Sequence, residues 1–211
     1  MHGVLGRSCL EYKDRVLTSP AATNMSPFPT GPVVIVLAAG RGERFAASGG
    51  TVHKLQAMLA GKRVIDHVLD AVKASGLACH VVDADPTRPG MGDSIAAGVK
   101  ATPSATAWLI LPADLPLIRP STLRSIAFAP TSAITVPMYQ GQRGHPVRFG
   151  AERATELLNL QGNQGAAQLI LAQAATNSIA LLDVDDAGCV LDVDTLGDLA
   201  RAEAWLLSRQ G

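Results

Sequence analysis

Three short stretches carry side chains whose types and spacing could do chemistry. The first is Gly40-Arg41-Gly42, with Arg44 close behind it and Lys54 further on. Glycine admits positive φ and lets another group come close to the backbone. Successive amide N–H groups in such a turn make an anion-binding concavity, and three cations beside it suit a polyphosphate. The second is Pro112-Ala113-Asp114-Leu115-Pro116, one carboxylate between two prolines. The prolines stiffen the backbone and remove N–H groups that would otherwise engage the carboxylate. A carboxylate presented that way suits Mg²⁺, which takes one or two carboxylates together with substrate phosphates. The third is an acidic run of Asp183, Asp185, Asp186, Asp192, Asp194 and Asp198. Asp194, just before a helix, is placed to be a second ligand. Thr195 to Asp198 has the spacing of a capping box, so Asp198 reads as structural, and Asp185 and Asp186 as the tip of a hairpin. Taken singly, the stretches have plainer readings: a strand-to-helix turn with solvated arginines for the first, a turn-capping aspartate for the second.

The elements that must position these residues alternate along the chain. Strand-like apolar runs cover 33–37, 80–84, 107–111, 133–137, 145–149 and 179–184. Helical periodicity covers 64–72, 94–101, 121–128, 151–160, 166–174 and 195–208; Val64, Ile65, Val68, Leu69 and Val72 are one such stripe. Early strands that are apolar throughout, alternating with helices, imply an α/β fold with a mainly parallel sheet covered on both faces. In such sheets ligands bind beyond the carboxyl ends of the strands, and all three chemical stretches fall there.

Composition narrows the function classes. Eighteen basic and 18 acidic residues give a net charge of zero, whereas a polyanion-binding protein shows a basic excess; nucleic acid and anionic membranes are set aside as partners. No apolar run reaches the 18 or more residues of a spanning helix, and the start of the chain lacks a signal-peptide pattern. Cys9, Cys79 and Cys189 are too few and too scattered for a disulfide framework or a zinc knuckle. They read as thiols of a reducing cytosol, so a cytoplasmic location is expected. Residues 1–30, ending in a Pro-rich lead-in, are expected to be a peripheral extension, or else a docked helix over 8–17; residues 31–211 form the functional domain. The corner after the first strand is not the dinucleotide fingerprint, because Phe45 stands where the third glycine belongs, and the Walker Gly-Lys-Ser/Thr is missing.

In combination, the segments LAAGRGERF (37–45), HKL (53–55), GMGDSIAAGV (90–99), LPADLPLI (111–118), VPMYQGQRGHPVRFG (136–150), LQGNQGAAQLI (160–170) and DVDTLGDL (192–199) resemble the nucleotidyltransferases of molybdenum-cofactor biosynthesis, in particular the molybdopterin cytidylyltransferase-like branch. The resemblance runs from about Val33 to the end. It implies a Rossmann-like nucleotidyltransferase fold, a GT-A-like three-layer sandwich. It also implies Mg²⁺-dependent transfer of CMP from CTP to a phosphorylated acceptor, molybdopterin cofactor in the first instance, with release of pyrophosphate. A delivery partner among the molybdoenzymes or their chaperones goes with that role.

Carried over by position, Leu37, Ala38, Ala39, Gly40, Arg41, Gly42, Gly92, Asp93 and Ser94 bind the nucleotide. Arg44, Lys54 and Asp114 are catalytic, Asp114 and Asp194 hold the metal, and Gly144, His145 and Pro146 border the acceptor. His145 is equally a turn-stabilising residue, and Asp93 equally a helix cap. His53 and His67 read as structural or surface residues. The chain departs from the pattern at Gly42 (commonly Ser), Asn163 (often acidic), Ala167 (often Arg) and Leu196-Gly197 (usually Pro-Glu), and the loop before Lys54 is longer. Gly42 and Asp93-Ser94 lean towards the methylerythritol-phosphate cytidylyltransferases. A polyol- or sugar-phosphate acceptor and a guanylyltransferase are therefore the alternatives. A nucleotide-binding regulator without turnover and an NAD-linked redox protein are alternatives from other classes.

Overall fold

Val33 to Val36 have no accessible surface, because the strand they form lies inside the sheet with helices on either side. The computed structural model describes residues 7–8, 30–88, 90–130, 134–174 and 179–208. The strands are β1 Arg7–Ser8, β2 Pro32–Ala38, β3 Met58–Leu59, β4 Lys62–Arg63, β5 Ala78–Asp83, β6 Ala107–Pro112, β7 Ile134–Tyr139, β8 Gln142–Arg143, β9 Val147–Gly150 and β10 Ile179–Asp183. The helices are α1 Glu43–Ala47, α2 Val64–Ser75, α3 Met91–Ala101, α4 Pro120–Ala127, α5 Ala154–Leu158, α6 Ala167–Ala174 and α7 Leu196–Ser208, with short 3₁₀ turns at Lys54–Gln56, Ala151–Arg153 and Ala187–Cys189.

The main sheet runs β1-β5-β2-β6-β9-β7-β10, with β8 paired to β7. β2 is parallel to both β5 and β6, and β10 is parallel to β7, while β9 runs antiparallel between β6 and β7. Side chains on β2 alternate between two cores. Val34 and Val36 pack with Val68 and Leu69 of α2 and Ile126 of α4. Val33 and Ile35 pack with Ile95 and Val99 of α3 and Leu157 of α5. Two helical layers around a mostly parallel sheet are the sandwich the alternating pattern implies.

Every expected strand and helix is present among the described residues, though Ala133 lies outside them. The fifth strand starts at Val147 rather than His145, since Pro146 has no N–H to offer a ladder. The β3–β4 hairpin, α1 and the 3₁₀ turns are additions; each is too short to show a period. His67 Nε2 meets the Leu59 carbonyl at 2.8 Å and ties that hairpin to α2, so its structural reading holds. Arg7–Ser8 pairs antiparallel with β5 (Arg7↔Val81, Ser8↔His80), so the N-terminal extension adds an edge to the sheet there; the remainder of 9–29 lies outside the described residues.

Two readings are corrected. Cys79 is disulfide-bonded, not a thiol; Cys189 is free, its thiol pushed up to about 11 by burial and by the neighbouring Asp186 charge; Cys9 lies outside the described residues. Asp186 is not at a hairpin tip, because the strand before it pairs in parallel with β7. It is 1% exposed, and its carboxylate accepts from Arg119 N, Thr122 Oγ1 and Gly188 N. It thereby ties the chain after β10 to the start of α4. Among the described residues no helix is long and apolar enough to cross a membrane.

Candidate active site

Strand register brings the first two chemical stretches together. Leu37 of β2 stands opposite Pro112 of β6, and the ladder continues one step, Ala113 N donating to the Leu37 carbonyl at 3.1 Å. The Gly40 corner and Asp114 therefore leave the sheet side by side. The third stretch is stitched to them by Val193 N, which donates to the Asp114 carbonyl at 2.9 Å. These strand ends open on a cleft of about 490 Å³ lined by Leu37, Ala39, Gly40, Arg41, Gly42, Glu43, Arg44, Lys54, Arg88, Gly90, Met91, Ser94, Pro112, Asp114, Asn163 and Asp194.

At the corner, Gly42 has φ 68° and heads α1, a conformation that favours glycine. Gly40 is not in that region. His53, read as a structural or surface residue, has the structural role: its Nε2 donates to the Gly40 carbonyl at 2.8 Å while its Nδ1 accepts from Leu55 N at 3.3 Å. The same 3₁₀ turn delivers Lys54, whose Nζ lies 2.6 Å from Asp114 Oδ2 and 2.7 Å from Asp194 Oδ1. Arg44 Nη1 takes the other oxygen, Asp194 Oδ2, at 2.6 Å. Burial alone would lower the Lys54 pKa, but the charges and hydrogen bonds of Asp114 and Asp194 outweigh it and hold it above its ordinary value. Arg41, also on the cleft lining, is largely exposed and meets Glu43 at 3.5 Å.

Two carboxylates, Asp114 just beyond β6 and Asp194 just before α7, offer hard oxygen donors, the kind a Mg²⁺-class ion takes. Asp114 Oδ1 is buried with no hydrogen-bond partner, which leaves one oxygen of the pair unused. Among the described residues no group of three or more His, Cys, Asp or Glu side chains is arranged to hold a metal, so such an ion needs further oxygens from substrate or water. Asp192 is a third acid nearby, missed as a site residue. Burial and the charges of Asp194 and Asp114 push its carboxyl above the usual range. The capping box closes as its spacing requires, with Asp198 Oδ2 accepting from Thr195 N and Asp198 N donating to Thr195 Oγ1.

The other end of the cleft is built from α3 and the loop before α6. Ser94 lines the cleft, although its hydroxyl is turned back to the Gly90 carbonyl at 3.2 Å. Asp93 caps its own helix, accepting from Gly90 N at 3.1 Å. Gly92 faces the 161–164 loop rather than the cavity: its N donates to the Gly162 carbonyl at 2.8 Å, and a Cβ there would stand 2.6 Å from the Gln164 carbonyl oxygen. Ala38 is buried beneath the corner. Arg88 and Asn163 are lining residues that sequence reasoning passed over. The strand-end rule applied to β5 would have pointed to Arg88, whose Nε is held by Asp85 Oδ2 at 3.2 Å.

Gly144, His145 and Pro146 do not line this cleft; they stand behind it. Gly144 N and His145 N donate to the Pro137 and Cys189 carbonyls, each at 2.8 Å, and the His145–Pro146 peptide is cis. His145 Nδ1 is buried without a partner. Burial lowers the pKa of the ring, and the Asp114 charge and the Ile110 carbonyl only partly oppose it.

A family model for the MobA-like NTP transferase domain matches residues 34–177. No curated protein matches. Among solved structures, the chain is similar to a nucleotidyl transferase from Methanothermobacter, at 22% identity over 86% of this chain and all of that one, with a TM-score of 0.73. It is similar to Rv0371c of Mycobacterium tuberculosis H37Rv, solved as a complex with manganese, at 26% identity over 83% of this chain and 98% of that one, TM-score 0.65. It also shares its fold with molybdopterin-guanine dinucleotide biosynthesis protein A of Archaeoglobus fulgidus, at 18% identity over 83% and 99% of the two chains, TM-score 0.58.

Proposed function

The chain belongs to the MobA-like NTP transferase family and is a nucleotidyltransferase, and on that premise we propose that it moves CMP from CTP to a phosphorylated acceptor, molybdopterin cofactor being the acceptor class favoured. The observation that carries this is the meeting of Arg44, Lys54, Asp114 and Asp194 at the mouth of the glycine corner. Cations for phosphate and carboxylates for a divalent ion, at adjacent strand ends, are what transfer to a phosphate needs.

An oxygen of the acceptor's terminal phosphate attacks the α-phosphorus in line; the bond from that phosphorus to the α–β bridging oxygen breaks, and pyrophosphate leaves with the electron pair. A phosphate nucleophile is anionic at neutral pH, so no strong general base is required, and the work is positioning and charge neutralisation. Asp114 and Asp194 would hold the divalent ion, Mg²⁺ or the Mn²⁺ of a relative's complex, and the ion would supply positive charge against the developing phosphoryl charge. The corner amides and Arg41 cradle the β- and γ-phosphates. Arg44 and Lys54 stabilise the charge that grows on the leaving group. The Ala39 methyl narrows the strand end and favours a single-ring base, with Ser94, Gly90 and Arg88 around the nucleoside. His145, on the wall behind the cleft, acts on the acceptor side only through Asp114, whose charge it faces. A cytoplasmic site of action is part of the reading, although the bonded Cys79 withdraws the free-thiol argument for it.

A pyrophosphate-release screen of the four nucleoside triphosphates against pterin, sugar-phosphate and polyol-phosphate acceptors tests it. CTP with a pterin acceptor is expected to give the highest rate. A higher rate with methylerythritol phosphate, or with GTP, would replace the acceptor or the nucleotide in this reading.

A further inference from the structure

We propose that Lys54 is the resident cation of the two-carboxylate site, so that the site accepts a divalent ion only together with a nucleotide whose phosphates draw the ammonium away. This rests on reading Asp114 and Asp194 as the metal ligands. Three of the four oxygens of that pair are already engaged: Asp114 Oδ2 and Asp194 Oδ1 by Lys54 Nζ, and Asp194 Oδ2 by Arg44. Lys54 and Arg44 bring the pair to neutrality. A dication arriving alone must therefore either displace a charge-assisted contact or sit beside an ammonium, and both outcomes are unfavourable in a site screened poorly by water.

The two cations differ in their freedom to leave. Arg44 is 77% exposed along its side chain and can swing into solvent, whereas Lys54 is only 10% exposed. Its turn is fixed to the corner through His53 and Gly40. Its stem runs along the underside of that corner: a Cβ on Gly42 would stand 3.7 Å from Lys54 Cγ, and one on Gly40 would stand 4.0 Å from Lys54 Cε. A rotation of the terminal torsions thus carries Nζ from the carboxylates to an anion seated on the Gly40–Gly42 amides, with no movement of the backbone. Two competing positions for one ammonium couple the phosphate subsite to the metal subsite, and by linkage each ligand tightens the other.

The test is Mn²⁺ binding to the full chain without nucleotide, followed by the electron paramagnetic resonance signal of free Mn²⁺. Lys54→Met and Lys54→Gln each remove the ammonium, and thermal melting shows which variant is folded. The expected result is Mn²⁺ affinity at least tenfold tighter in a folded Lys54 variant than in the wild type. Inorganic tripolyphosphate held at a fixed total, with its own Mn²⁺ chelation subtracted, is expected to tighten the wild-type site and not the variant site. Equal or weaker nucleotide-free affinity in the variants overturns the proposal while leaving the metal site standing. Absence of protein-bound Mn²⁺ in every form, with or without tripolyphosphate, removes the metal-site reading and the proposal together. If neither variant folds, the wild type alone decides: tight Mn²⁺ binding without any polyphosphate overturns the proposal, and tightening by tripolyphosphate supports it.

Discussion

The two ends of the cleft are made by different physics. At the phosphate end, side chains from separate segments of the chain meet through charge, with Lys54 spanning to Asp114 and Asp194 at 2.6 and 2.7 Å. At the nucleoside end, the shape comes from backbone packed on backbone: Gly92 lies against the 161–164 loop so closely that a methyl group would strike a carbonyl at 2.6 Å, and the polar side chains there are turned back on their own helix. A site assembled by charge should fail in turnover when a charge is removed. A site assembled by close packing should fail in binding and stability when an atom is added.

Asp114→Ala is the strongest way to break that contrast. It removes a donor from the metal pair and leaves Lys54 with Asp194 alone, and kcat is expected to fall about a thousandfold with circular dichroism unchanged; activity within tenfold of wild type would detach the carboxylate from the chemistry. Gly92→Ala adds one carbon at the other end, and the expected loss is roughly 1–3 kcal/mol in urea unfolding together with weaker nucleotide binding. A variant with wild-type stability would show that the 161–164 loop yields easily. Arg44→Ala should lower kcat by roughly tenfold, about 1.4 kcal/mol of transition-state stabilisation, with little change in KM, because charge builds on pyrophosphate as it leaves. A rise in KM alone would make Arg44 a ground-state contact. Arg88→Ala sharpens the comparison from the nucleoside side: KM for the nucleotide should rise several-fold, about 1 kcal/mol, while kcat holds. Arg41→Ala should matter least, within roughly threefold in kcat/KM, since its charge sits at the exposed rim of the corner, where water and salt screen it.

What the sequence made legible follows the same division. Apolar strands, amphipathic helices and isolated charged residues at strand ends are local signals, and they located β2, β6, Asp114, Arg44, Lys54 and Asp194 correctly relative to one another. The ion-pair knot itself was not legible, since Lys54 reached Asp194 across 140 residues of chain and the spacing of neither residue announces the other. Gly92, Asp93 and His145 were harder still. A glycine needed for close approach reads in sequence like a glycine needed for a bound ligand, and Asp93 carries a capping signal indistinguishable from a ligand-facing acid. His53 was read as structural or surface, but which backbone group it would hold was not legible, because its partner is a carbonyl. Cys79 was misread because nothing in the spacing of three scattered cysteines announces a bond.

The central claim is transfer of a cytidylyl group with release of pyrophosphate, and the most direct test follows both halves of labelled CTP in one reaction. With label on the α-phosphate and a pterin phosphate acceptor, the account predicts one labelled CMP–acceptor adduct for each pyrophosphate released, at a kcat/KM at least tenfold higher for CTP than for GTP. Equal or better use of GTP would contradict the nucleotide assignment, and release of orthophosphate with the label left on CDP would contradict transfer at the α-phosphorus altogether.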